Sequence, residues 1–457
     1  MNIIDSINKA IAYFSSWIWD WPLLIIVLGG GLFLLIYSRF TPFLYFGHAI
    51  NVLRGKYDTA NEKGQLSHFQ ALSSALAATV GMGNISGVAI AITTGGPGAI
   101  FWMWITAIVG MATKFYTSSL AVMYREDDGE GGYLAGPMYI IKKGLDKKWK
   151  PLAVFFATAG LIGTMPAFQA NQLTETIINI GEFDTYKIGY INLAFIKFMI
   201  GIGIAIITSL VIFGGIKRIG LIASRLVPFM VGLYFVAVFT ILILSYQAIP
   251  SLLELIFTDA FSGNAVLGGL LGTLIKTGVK RAAFSNEAGT GTAPMMHGTA
   301  KTNEPIREGL VAMLGPFIDT IVVCTLTALA ILATDTWHNA SGKGVSITLD
   351  AFSSALPYFN IGKYILVTAI FIFAFSTLFS YSHYGKTCLG YLTKPKYGKY
   401  YNYFYVLSIV IAATVKLDFI INLIDGAFAL MAIPTMITTL LLAKKVNQAA
   451  KSYFSRL

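Results

Sequence analysis

The feature that most constrains this chain is a series of apolar runs separated by short polar loops, most of them close to the roughly 20 residues that carry an α-helix across a bilayer. The runs lie at 22–39, 70–94, 99–124, 151–179, 191–213, 226–248, 265–298, 309–334, 361–391, 402–415 and 419–442. They predict an all-α membrane protein with about eleven transmembrane helices. Composition agrees, since 56% of the 457 residues are hydrophobic and 12% charged, where an ordinary soluble domain carries roughly 25% charged residues. The apolar residues come in runs rather than on one helical face, as lipid-exposed helices require.

The net charge of +11 would suggest nucleic acid in a soluble protein. Here the Lys and Arg gather in alternate loops, including Lys142, Lys143, Lys147, Lys148 and Lys150, which is the positive-inside pattern and argues against a nucleic-acid partner. It predicts a multi-pass protein of the inner cell membrane with the N-terminus outside and the C-terminus cytoplasmic. No signal peptide is expected ahead of the first run. Ile3, Ile4, Ile7, Ile11 and Phe14 recur at helical spacing before Trp17, Trp19 and Trp21, which reads as an interfacial helix with an aromatic anchor. Cys324 and Cys388 stand in apolar runs without ligand spacing and read as small core residues.

Two spans carry polar, glycine-rich interruptions. One is Ala78-Thr79-Val80-Gly81-Met82-Gly83-Asn84-Ile85-Ser86-Gly87, and the other is Phe284-Ser285-Asn286-Glu287-Ala288-Gly289-Thr290-Gly291-Thr292. Unpaired backbone groups are costly in hydrocarbon, so broken helices must line a cavity or a ligand. Freed N–H groups there can hold a carboxylate and freed C=O groups a cation, each reinforced by a half-helix end. Close helix packing alone would explain one glycine pair, but less readily two amide- and hydroxyl-rich breaks five spans apart. Spans two to six and seven to eleven then form two sets of five. An odd number of helices per set inverts the second set, the plan of transporters with a site at the midplane. The predicted units are residues 1–65 with the extra N-terminal span, 66–248 and 249–445 as the two repeats, and 446–457 as a tail.

These stretches, with Gly95-Gly96-Pro97-Gly98, Gly110-Met111-Ala112-Thr113-Lys114, Ala300-Lys301-Thr302 and Phe317-Ile318-Asp319-Thr320, resemble the alanine or glycine:cation symporter family from about residue 66 to 440. The resemblance implies a LeuT-like fold, a 5+5 inverted repeat with two broken helices and one extra N-terminal span, and inward movement of alanine or glycine with Na⁺. It implies a substrate pocket of Thr79, Gly81, Gly83, Asn84, Gln169, Phe284 and Tyr381. It also implies a sodium site of Ser376, Thr377 and the backbone of Ala78 and Gly81. A hard monovalent cation suits such neutral oxygens. The chain departs from the family pattern at Met82, Thr290, Tyr381 and Met165-Pro166-Ala167, all at the pocket lining.

Each residue has a plainer reading. Gln169 could make an interhelical hydrogen bond, Ser376 and Thr377 could bond back to their own helix, and Phe284 and Tyr381 could be packing aromatics. Lys280, Arg281 and Glu287 straddle the second break. They read either as a gate, with Arg281 on Glu287 or Asp319, or as a structural ion pair. His383 reads as a structural imidazole. An intramembrane enzyme would need an acid, base, nucleophile or metal cluster at membrane depth, and the histidines are scattered without ligand spacing. A channel would need a continuous polar pore. Within the transporter class, proton coupling and another small solute stay open.

Overall fold

A computed structural model of the chain describes residues 3–457 apart from 60, 130, 182–191, 262–269, 339–343, 357–360 and 415–417. It is nearly all helical. The helices used below are α1 (Ile3–Ile18), α2 (His68–Thr79), α3 (Val88–Gly95), α4 (Ala99–Met123), α5 (Lys150–Gly163), α6 (Ala167–Ile180), α7 (Leu193–Ile212) and α8 (Gly215–Leu244). They continue with α9 (Leu270–Asn286), α10 (Thr292–His297), α11 (Pro305–Pro316), α12 (Thr325–Ala333), α13 (Ile361–Leu392), α14 (Tyr401–Thr414) and α15 (Asp418–Phe454). Among the described residues the only sheet is a two-stranded antiparallel hairpin, Glu126–Asp127 against Tyr133–Leu134.

Eight helices are long and apolar enough to cross a bilayer, or nine when the pair His68–Thr79 and Gly83–Gly95, bent by 55°, is taken as one crossing, among the described residues. The two expected runs outside that count are 265–298 and 402–415. The helix in the first carries Lys276, Lys280 and Arg281 and follows residues outside the described set, and α14 has only 14 residues. Large apolar side chains such as Phe229, Phe235, Val236, Phe239 and Leu244 on α8 are exposed, as a face toward lipid would be.

The first break is built by local chemistry. Ser67 and Gln70 form a reciprocal capping box at the start of α2, both contacts at 3.1 Å, which fixes where the helix begins. The helix ends at Val80, whose backbone is extended at φ −73°, ψ 100°. A π-helical turn, Gly83–Gly87, then leads into α3. The second break follows α9, with Glu287 at φ 55°, Gly289 at φ 89° and Gly291 at φ 96°. Left-handed backbone is cheap for glycine and costly for glutamate.

The breaks meet at the centre. A Cβ on Gly83 would stand 3.4 Å from Ser285 Cα, and one on Gly81 3.2 Å from Thr377 Oγ1. Helix α4 passes behind the second break, where a Cβ on Gly110 would come within 2.8 Å of Ala288 Cβ. The N-terminal helix is not a detached interfacial element. It packs along α15, and Trp19 is buried with its indole N–H donating to Asp425 O at 3.0 Å.

Candidate functional site

Between the breaks lies a cavity of about 30 Å³, lined by Ala78, Thr79, Gly81, Met82 and Gly83 from the first break and by Phe284 and Glu287 from the second. Phe168 and Gln169 on α6 and Thr377 and Tyr381 on α13 complete it. The structure thus brings eight of the ten expected site residues to one space. Tyr381 stacks on Phe428 of α15 at 6.4 Å between ring centroids, and Phe284 meets the same ring tilted at 6.3 Å. Together they make an aromatic wall around a space for about two or three water-sized groups.

Asn84 and Ser376 are the two that do not line the cavity. Asn84 is fully buried. Its Oδ1 accepts from Gly81 N–H at 2.8 Å, and its Nδ2 donates to Asp319 Oδ1 at 2.8 Å and to Asp319 O at 3.1 Å. Its polar groups are spent on holding the break open. Because Gly81 N–H is taken, the amides of Met82 and Gly83 are the donors left at the start of the half-helix. Ser376 donates to Phe373 O at 2.9 Å, within its own helix.

Thr377 behaves differently from Ser376. Its hydroxyl donates to Phe373 O at 3.0 Å, while its oxygen lies 3.2 Å from Ala77 O and 3.5 Å from Ala78 O. Three neutral oxygens from two helices therefore converge beside the cavity, a donor set suited to a monovalent cation. Nearby, Ser380 donates to Ser74 O at 2.9 Å and clamps α13 to α2.

Three charged side chains are buried here, Glu287 at the cavity wall and Asp319 and Lys114 behind it. Asp319 accepts from Asn84, from Ser285 Oγ at 2.7 Å and from Thr320 Oγ1 at 2.9 Å. Glu287 accepts from Tyr381 and Thr292. Lys114 on α4 lies in the field of both carboxylates. Arg281 pairs with neither acid. With Lys280 and Asp425 it lines a separate cavity of about 300 Å³, which shares Met82, Gly83, Phe168 and Phe284 with the inner one and is also lined by Ser15 and Ser16 of α1 and by Trp19 just after it. Trp19 packs edge-on against Phe284 at 5.8 Å.

Residues 4–457 match the family model described as the sodium:alanine symporter family. The chain belongs to the sodium:alanine symporter family. Over 99% of its length it is 38% identical to 98% of the sodium/alanine symporter AgcS of Methanococcus maripaludis. It is 34% identical to the probable sodium/glutamine symporter GlnT of Bacillus subtilis, covering 95% of this chain and 88% of that one. Among solved structures it resembles the crystal structure of MhsT in complex with L-phenylalanine, with a TM-score of 0.57 at 13% identity over 85% of this chain and 99% of that chain. That likeness shows the LeuT-like fold. As a member of this family the chain is a multi-pass membrane transporter, and sodium-coupled movement of an amino acid is what the family supports.

The residues that sequence reasoning placed least well in this family member are the acids. Glu287 and Asp319 stood out as intramembrane charges, but the expected partner was Arg281. The signal that separates them is spacing together with the break. Glu287 lies six residues beyond Arg281, where a regular helix no longer presents the same face, and it follows the last turn of α9 in left-handed backbone.

Proposed function

We propose that the chain carries alanine or glycine into the cell with Na⁺ by alternating access. The observation that carries this reading is the small cavity where both helix breaks meet the Thr377 oxygens. The tight lining by Phe284, Tyr381 and Met82 favours a hydrogen or methyl side chain over the longer chain of glutamine.

In this reading the protein comprises the extra span within 1–65, two inverted five-helix repeats at 66–248 and 249–445, and a tail at 446–457. The missing crossings are then α9 with α10, and α14, giving eleven. The basic loops around Lys142 and Lys143 face the cytoplasm. Na⁺ binds between Thr377 and the carbonyls of Ala77 and Ala78, and so orders the first break. The substrate carboxylate then meets the amides of Met82 and Gly83 at the positive end of the half-helix. Coupling is reciprocal, because whatever Na⁺ adds to substrate affinity the substrate adds to Na⁺ affinity.

The test is uptake of labelled alanine and glycine into proteoliposomes under separate Na⁺, K⁺ and pH gradients. Uptake that follows Na⁺ alone supports the reading. Accumulation driven by a pH gradient without Na⁺ removes sodium as the coupling ion.

A further inference from the structure

We infer that Glu287 anchors the ammonium group of the substrate, so that the pocket selects primary amines and rejects their deaminated analogues. This rests on the amino-acid reading above and adds the group that recognises the amine.

Glu287 stands directly after α9 at φ 55°, a position where glycine or asparagine usually ends a helix. A glycine would serve the backbone better, so the side chain is what the position retains. It is 2% exposed. Tyr381 O–H donates to Oε1 at 2.7 Å and Thr292 O–H to Oε2 at 2.6 Å. Both partners are neutral donors, so both oxygens act as acceptors and keep lone pairs free. Among the described residues no Lys, Arg or His nitrogen lies within 4.0 Å of this carboxylate. Lys114 reaches it only through space, shared with Asp319.

Two more acceptors face the same cavity. Among the described residues, Gln169 Oε1 and Thr79 Oγ1 are buried side-chain oxygens with no hydrogen-bond partner, and both residues line the cavity with Glu287. An alkylammonium offers three N–H donors and no acceptor. Three side chains supplying oxygen acceptors around one small space match that inventory. The sodium oxygens are a separate set, at Thr377, Ala77 and Ala78, so the substrate amine and the ion need not compete.

The experiment compares wild type, Glu287→Gln, Tyr381→Phe and Thr292→Val as purified protein in nanodiscs. Binding of labelled alanine in Na⁺, binding of ²²Na⁺ without alanine, and competition by lactate are read for each. Removing one partner of a buried charge pair weakens binding by about 100-fold. Glu287→Gln is expected to lose alanine affinity by that factor and keep ²²Na⁺ binding within about threefold, while alanine's preference over lactate collapses. Tyr381→Phe and Thr292→Val are expected to reduce that preference by smaller factors. Alanine affinity within threefold of wild type in Glu287→Gln overturns the anchor, as does equal loss of alanine and ²²Na⁺. If Glu287→Gln is not monodisperse, the two hydroxyl variants decide, and an unchanged alanine-to-lactate preference in both overturns the anchor. A wild type that binds neither alanine nor glycine in Na⁺ overturns the transport reading itself, a result distinct from any variant ratio.

Discussion

Asn84 Nδ2 lies 2.8 Å from Asp319 Oδ1, and this contact joins the first helix break to the π-helical turn Phe317–Cys324 that follows α11. Asp319 also accepts from Ser285 in the second break, so one buried carboxylate ties both breaks together. Asn84→Ala leaves Asp319 Oδ1 without its amide donor, while Ser285 and Thr320 still serve Oδ2, and it frees Gly81 N–H. Each unsatisfied buried group costs about 1–3 kcal/mol. Thermal melting in detergent is expected to fall by several degrees, with uptake reduced more than stability alone explains. An unchanged melting point would show that the link carries no load.

Glu308 at the start of α11 is fully buried and bonds two histidines at once, His297 Nδ1 at 2.5 Å and His68 Nδ1 through its other oxygen. These residues join the first turn of α2, the end of α10 and α11. Glu308→Ala leaves both imidazoles without an acceptor, and breaking a buried pair of this kind costs about 3–5 kcal/mol. The expected result is a large loss of folded protein, measured by size-exclusion yield and melting. His68→Ala alone, which leaves the His297 contact, should cost less.

Two glycines separate packing from backbone freedom. Gly110→Ala places a Cβ 2.8 Å from Ala288 Cβ, between α4 and the second break, in an interior with no slack. Melting and alanine uptake should both fall. Gly232→Ala lies within α8 with nothing inside 4 Å of the new Cβ. It should stabilise the helix by about 0.5–1 kcal/mol and leave uptake unchanged.

His48, outside the membrane-spanning segments, hydrogen-bonds Tyr453 through Nε2 at 2.7 Å. Burial holds its imidazole below the usual histidine range, aided by Arg307 and Lys56. Because the folded pKa is depressed, the unfolded chain binds the proton more readily, and stability falls as pH drops through 6.5 toward the folded value. The melting point of wild type should decline from pH 7.5 to 5.5 more steeply than that of His48→Gln.

Much of this was legible in the residues themselves. Gly81, Gly83, Gly289 and Gly291 beside amides and hydroxyls mark the breaks, because hydrocarbon forbids such backbone without a purpose. Thr79, Gln169, Phe284, Thr377 and Tyr381 line one cavity. What the sequence could not give is direction. Asn84 turns to Asp319 and not to the cavity because the π turn rotates its face, and Ser376 bonds within α13 while its neighbour Thr377 faces α2. Glu287 and Arg281 are six residues apart, about 240° around a regular helix, so the spacing already set them on different faces, and the left-handed residue after α9 turns Glu287 further toward its own cavity. Trp19 read as an interfacial anchor, since its burial depends on α15, some 400 residues away (|i−j| = 406 for its hydrogen bond).

In the proposed mechanism Thr377 and the opposed carbonyls of Ala77 and Ala78 bind the coupling ion. The most direct measurement is alanine uptake into proteoliposomes as a function of the Na⁺ gradient for wild type, Thr377→Ser and Thr377→Ala. Na⁺-dependent accumulation is expected to survive in Thr377→Ser and to be lost in Thr377→Ala, with the alanine variant folded by size exclusion. Uptake by Thr377→Ala with unchanged Na⁺ dependence would contradict it.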